Sequence, residues 1–277
     1  MINLKTKKTT AILHPFLPAN RIDDASIDGN LLFTLDAEES GYISVYTLDD
    51  PSKPKLLSST TSTPVGPYAG ISAKNGNIVV SGGTKYFAHR TYDKEGKLSK
   101  KENQLTRDQG HPDVLLSKNG NTALISTHFE GTRFGIISAD VTSSEVTVTS
   151  EHTIEGAGFT TGTTSLTGFP IKSSLYNDKV LVAHGKGLTI FTLTNQRLDH
   201  FKTIDLGIEA VNIAVHKNIA YIIGYSPKPK LIKVDISKPS TPTIIDNIGL
   251  SANTVTGIAV SEEGIFITAE EKGILSL

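Results

Sequence analysis

Residues 116–128, LSKNGNTALISTH, decide the fold. A polar Lys118-Asn119-Gly120 turn is followed at once by the run Ala123–Ser126. Asn-Gly is a hairpin turn, because both central residues of the tightest hairpins need positive φ, and a run of four to eight apolar or β-branched residues after it is a strand. The same turn-then-strand unit recurs as SIDGNLLFTLD (26–36), SAKNGNIVVSGG (72–83), LYNDKVLVAH (175–184), VHKNIAYIIGY (215–225) and VSEEGIFITAE (260–270). The turn markers Gly29, Gly76, Gly120, Asp178, Asn218 and Gly264 are 47, 44, 58, 40 and 46 residues apart. A period in the mid-forties is the length of one four-stranded propeller blade, and a sandwich has no need of such regularity.

Working outward from each turn, every unit reads as inner strand, hairpin turn, apolar second strand, loop, third strand and polar outer strand. Six units in 277 residues predict an all-β, six-bladed β-propeller, residues 1–277 forming one domain. The last unit shows three strands, so residues 3–13 are expected to pair with the C-terminal blade 255–277 as its outer strand, which would remove two open sheet edges. The interval of 58 leaves room for an insertion at 155–170, EGAGFTTGTTSLTGFP, a loop expected at one end of the central channel.

Composition narrows the function classes. Lys and Arg number 27 against 28 Asp and Glu, a net charge of −1, so no global field gathers nucleic acid. Without Cys there is no disulfide, thiol nucleophile or cysteine zinc site. No stretch reaches the length of a membrane-spanning helix, and the N-terminal MINLKTKKTTAIL lacks the apolar core of a signal peptide.

Two segments carry a resemblance. Val234-Asp235-Ile236-Ser237-Lys238-Pro239-Ser240-Thr241-Pro242 resembles the LVIVD repeat, and Val45-Tyr46-Thr47-Leu48-Asp49-Asp50-Pro51-Ser52-Lys53-Pro54 is a looser copy. The resemblance implies a β-propeller, often in secreted or cell-surface proteins, and so favours a secreted, periplasmic or cell-surface location over the cytoplasm. The first Pro starts the turn after the third strand; the second opens the outer strand, where a missing N–H costs little.

Chemistry in a propeller collects where inner strands begin and second strands end. The first set holds Arg21, Asp23 and Asp24, Tyr68, His111 and Asp113, Lys172, Glu209 and Asn212, and Asn253. The second holds Asp36, Gly83, His128, His184, Tyr225 and Glu270. Asp36, His128, His184 and Glu270 are the residue types of a divalent-metal or acid–base set. Equally, such side chains cap strand ends. Asp36, Arg133, Tyr225 and Glu270 are candidate ligand-binding residues, with Arg133 and His128 on the polar loop His128–Arg133 suited to an anion. Gly110-His111-Pro112-Asp113 resembles the opening motif of lactonase-like propellers, which implies His111 as a candidate catalytic group beside His128 and His184 of the second-strand exits.

Two functions follow. The favoured one is a non-enzymatic scaffold for a small-molecule or protein ligand, with no nucleic-acid partner, no membrane insertion and no required cofactor. The alternative is a hydrolase or lyase of lactonase-like type, with or without a metal, at the channel mouth.

Overall fold

The computed structural model describes residues 2–3, 8–9, 22–36, 41–61, 70–82, 86–106, 110–128, 134–155 and 172–277, all strand, turn and loop. Strands β1 (Ile2–Asn3) and β2 (Lys8–Thr9) form a short ribbon. Six antiparallel meanders follow. Blade 1 is β3 (Asp24–Asp28), β4 (Leu31–Asp36), β5 (Tyr42–Thr47) and β6 (Lys55–Thr61); blade 2 is β7 (Gly70–Lys74), β8 (Asn77–Ser81), β9 (Tyr86–Thr91) and β10 (Asn103–Thr106). Blade 3 is β11 (Gly110–Leu116), β12 (Thr122–His128), β13 (Phe134–Asp140) and β14 (Thr147–Ile154). Blade 4 is β15 (Lys172–Tyr176), β16 (Lys179–His184), β17 (Gly187–Thr194) and β18 (Arg197–Asp205). Blade 5 is β19 (Glu209–His216), β20 (Ile219–Tyr225), β21 (Pro229–Asp235) and β22 (Thr243–Gly249); blade 6 is β23 (Val255–Ser261), β24 (Gly264–Ala269) and β25 (Gly273–Ser276). The chain is a six-bladed β-propeller.

Two compact units divide it: Met1–Phe129 with Ile137–Glu151, and Glu130–Ile136 with His152–Leu277. In each, the core lies between blades. In the first, Phe33, Leu35 and Val45 of blade 1 pack on Ile71, Ile78 and Val80 of blade 2. In the second, Leu181 and Ile190 of blade 4 meet Ile213 and Ile222 of blade 5, and Ile223 and Leu231 of blade 5 meet Val255 and Ile267 of blade 6. A second strand covered on both faces reads as an unbroken apolar run. Leu31–Asp36 is buried at all six positions for that reason.

Directional bonds add to the apolar wedges. Ile71 N–H donates to Asp24 Oδ2 (2.9 Å), Ala73 N–H to Ser26 Oγ (3.0 Å) and Asn75 N–H to Asp28 Oδ2 (2.7 Å). Alternate side chains of β3 thus serve the backbone of β7. Leu116 N–H donates to Ser72 Oγ (2.9 Å) in the same manner one blade further on. Inner-strand amides have no neighbour on their free edge, and these acceptors supply one.

The turns match the sequence in place and differ in detail. Asn75 and Gly76 have φ of 49° and 81°, the paired positive values expected of Asn-Gly. Gly29 and Gly120 are left-handed alone. At the first turns of blades 4 and 5 the left-handed residues are Asn177 and Lys217, one before each marker. Pro54 and Pro242 immediately precede the outer strands β6 and β22, and the Asx-type bonds Ser52 N–H to Asp50 Oδ1 and Ser237 N–H to Asp235 Oδ1 shape the turns before them.

Of the segment 3–13, Asn3 and Lys8–Thr9 are described, and they pair within their own ribbon: Ile2 with Thr9 and Asn3 with Lys8. The rest of that segment lies outside the described residues, among which blade 6 has three strands. Apart from Glu155, the loop 155–170 also lies outside them.

Candidate functional site

In the second unit the end of β16, the start of β19 and the end of β20 border an open cavity of about 380 Å³. Gly185, Lys186, Asp205, Ile208, Glu209 and Tyr225 are among its lining residues, with Ser226 and Pro227 at one side. This is the end of the blades at which the sequence places second-strand exits and inner-strand starts. The volume suits a compact small molecule.

Glycines set the walls. Gly224 lies opposite Ala210 in the ladder, and a Cβ there would come within 2.3 Å of the Glu209 carbonyl oxygen and 2.8 Å of Ala210 Cα. The bulge between Ala210 and Asn212 therefore presses β19 onto β20 just where Glu209 emerges. Gly187, at φ 140°, has the Ile204 carbonyl 2.3 Å from its notional Cβ, which brings the Lys186 turn against Asp205. Asp205 Oδ1 accepts the Gly207 N–H (2.8 Å), fixing the turn into blade 5.

Glu209 and Tyr225 face one another across the β19–β20 ladder, and both are buried, at 9% and 8% exposure. Tyr225 spends its phenol on the fold: its O–H donates to the Val255 carbonyl (3.1 Å) and accepts the Val255 N–H (2.8 Å), tying blade 5 to blade 6. Burial, with help from the Glu270 and Glu271 carboxylates, raises its pKa, although the Val255 N–H acts the other way. Tyr225 thus gives the cavity a ring wall rather than a free hydroxyl. The polar residues along the cavity are Glu209, which also has a partner within the protein, the exposed Lys186 and Asp205.

His184 abuts this cavity through Gly185 and Lys186 but is sealed, at 0% exposure. Its Nδ1 accepts the Lys186 N–H (3.3 Å), so Nε2 carries the hydrogen and donates to Thr189 Oγ1 (2.9 Å). The chain continues from Thr189 to Thr203 (3.0 Å) and from Thr203 to His200 (3.0 Å). Burial first, and the Lys186 ammonium second, hold the His184 pKa down to about 4. With both ring nitrogens engaged and the ring neutral, His184 is a strand-end fastener with no lone pair left for a metal.

The remaining sequence candidates divide. Glu270 is exposed and lies within electrostatic reach of Tyr225. Asp36 is buried at the end of β4 in the first unit. Arg133, and the side chains of His111 and His128, lie outside the described residues. Among the described residues no three His, Cys, Asp or Glu side chains gather as a metal site requires. Asp24, read as a channel-facing group, instead serves Ile71 of the next blade. Glu209 stood in the inner-strand set, but Lys186, in the turn after β16, and Asp205, at the end of the outer strand β18, did not, because neither is a second-strand exit or an inner-strand start.

No family model and no curated protein matches the sequence. Solved structures do. A periplasmic gluconolactonase of Pseudomonas aeruginosa, PpgL, is similar with a TM-score of 0.70 at 11% identity, over 96% of this chain and 82% of that one. A structure described as a putative 6-phosphogluconolactonase of Bacteroides fragilis gives 0.70 at 12%, over 98% and 82%. Sqt1 of Saccharomyces cerevisiae gives 0.55 at 11%, over 94% and 82%. At such identities the likeness shows the propeller fold alone.

Proposed function

We infer that the protein is a small-molecule-binding propeller whose ligand sits in the cavity of blades 4 and 5. The observation that carries this reading is the shared lining of one cavity by a buried carboxylate, Glu209, and a cation, Lys186. Glu209 is placed to accept hydroxyl hydrogens and Lys186 to take a carboxylate or carbonyl oxygen, so a hydroxylated acid or its lactone fits both. Calorimetric titration with D-gluconate tests it. Binding should be lost in Lys186→Ala and weakened in Glu209→Gln; unchanged binding in both variants refutes the assignment.

A second reading, hydrolysis of a sugar lactone, draws support from the fold likeness to structures described as gluconolactonase and 6-phosphogluconolactonase. In it Glu209 takes a proton from water as the water oxygen bonds to the lactone carbonyl carbon, with Lys186 against the developing oxyanion. The ring C–O bond then breaks, and the proton on Glu209 passes to the departing alkoxide. Hydrolysis of glucono-1,5-lactone above the uncatalysed rate, abolished in Glu209→Gln, supports this reading; binding without turnover supports the first. Location outside the cytoplasm is part of the proposal, in keeping with the LVIVD-like segments, and cell fractionation tests it.

A further inference from the structure

A second cavity, of about 460 Å³, opens between blades 2 and 3 within the first unit. Val79, Phe87, Val114, Ile137 and Val141 fill the wedge between these blades. Side chains alternate along a strand, so Asn77 shares a face of blade 2 with Val79, Thr91 shares it with Phe87, and Asn103, paired with His89 in the ladder, joins them. Where the apolar wedge ends, these polar groups meet Asn121 and the turn 142–144 of blade 3 across the cavity.

One cation on this lining lacks an ionic partner. Lys101, exposed and two residues before β10, reaches across to blade 3, where its Nζ donates to the Ser144 carbonyl (3.3 Å). That bond holds the ammonium at the cavity and leaves its other hydrogens free. Among the described residues it pairs with no carboxylate, and no Asp or Glu lines the cavity. The neighbouring acids are committed elsewhere. Glu102 takes Arg90 Nε at Oε2 (2.9 Å) and Gln104 Nε2 at Oε1 (2.8 Å). Asp140 Oδ1 accepts both the N–H (2.8 Å) and the hydroxyl (2.7 Å) of Thr142. Arg90 also lines the cavity, but its charge is balanced by Glu102, and its terminal nitrogens donate to the carbonyls of Ser99 (2.9 Å), Lys100 (3.1 Å) and Thr61 (3.0 Å).

Uncharged donors surround Lys101. The half-buried side chains of Asn103 and Asn121 have no partner among the described residues. Asn77 Oδ1 accepts from His89 Nε2 (2.8 Å), which leaves the Asn77 amide hydrogens free. His89 itself is 3% exposed, and burial lowers its pKa and keeps the ring neutral, so it orients Asn77 and adds no charge. Thr91 and Ser144 are exposed and contribute hydroxyls. An ammonium among amide and hydroxyl hydrogens, with no competing carboxylate, is a donor set for oxygens that carry negative charge. The donors come from both blades and from Lys101 between them. A phosphate monoester presents three oxygens and a charge of about −1.5 to −2 to such a set, where a carboxylate has two oxygens and one charge.

We propose that this interblade cleft binds a phosphoryl group, with Lys101 Nζ and the side-chain amides of Asn103 and Asn121 on its oxygens. The site is separate from the Glu209 cavity and does not depend on it. The test follows the side-chain amides of Asn103 and Asn121 by NMR in the intact protein, with glycerol phosphate, inorganic phosphate, acetate and glycerol as probes. The two phosphates should give saturable shifts at these amides and bind more tightly than acetate or glycerol. Lys101→Gln, at an exposed position, should weaken that response about tenfold with the melting temperature retained. Asn121→Leu should weaken it as well, read at Asn103, and Glu209→Gln should leave it intact. Tighter binding of glycerol phosphate than of inorganic phosphate would identify an ester as the ligand, and the reverse order the free ion; both support the proposal. The absence of saturable shifts with both phosphates would overturn it. So would acetate or glycerol binding as tightly, an undiminished response in Lys101→Gln or Asn121→Leu, or its loss in Glu209→Gln.

Discussion

Removing the carboxylate of Asp28, at the end of β3, should destabilise the first unit. Asp28 Oδ1 takes the Lys74 ammonium (2.9 Å), and Oδ2 takes both the Asn75 N–H (2.7 Å) and the Tyr92 hydroxyl (2.6 Å). Tyr92 in turn packs its ring on Phe33 with centroids 4.6 Å apart. Burial works to raise the Asp28 pKa, but the bonds from Tyr92, Lys74 and Asn75 outweigh it and hold the carboxyl below its ordinary value. The Lys74 pair is 40% exposed on the lysine side and counts for little. The other two bonds end on an ion, at about 1.5 kcal/mol or more each, so Asp28→Ala should cost about 3 kcal/mol. For a chain of this size that is roughly 6–12 °C in melting temperature. Because the folded pKa is depressed, the stabilisation is present above the unfolded carboxyl value of about 4 and fades as pH falls through the folded one. Denaturation of parent and variant across that range is the assay. A variant that melts with its parent at neutral pH, or a gap that widens on acidification, would refute the reasoning.

Gly224→Ala should push β19 away from β20 and displace Glu209, since the added carbon meets backbone at 2.3 and 2.8 Å; reduced gluconate binding with a lowered melting temperature checks it. His184 has its folded pKa at about 4 against an ordinary 6.5, so the parent should lose stability as pH falls from about 6.5 toward 4, by about 3 kcal/mol in total. His184→Gln should flatten that slope in a pH series of denaturant melts. Tyr225→Phe forfeits both bonds to Val255 and should cost about 1–2 kcal/mol, read by urea unfolding.

The blade count was legible because a turn and an apolar run recur at a fixed period, and each lies where the structure has its first hairpin. The ribbon formed by Ile2–Asn3 and Lys8–Thr9 was not, since a strand signal names no partner. The site was half legible. The period locates the strand ends that hold His184, Glu209 and Tyr225, but it does not give the contacts that each makes. His184 is taken by Thr189 and the Lys186 amide, and Tyr225 by Val255, contacts between residues whose meeting depends on three-dimensional packing. Glu209 stands beside a bulge between Ala210 and Asn212, and the turn-to-turn period does not locate a bulge. Asp24 read as a channel-facing group and Asp28 as part of the turn before Gly29, and only the neighbouring strand reveals them as acceptors for its backbone.

The acceptors that β3 presents at every second residue, Asp24, Ser26 and Asp28, act on β7 as teeth of fixed pitch. Grease between wedges would let one blade slip along another, whereas a toothed rack meshes at one setting. Any sequence transplanted into the first position would have to carry the same spaced oxygens, or the second blade would lose its footing though every apolar contact were preserved.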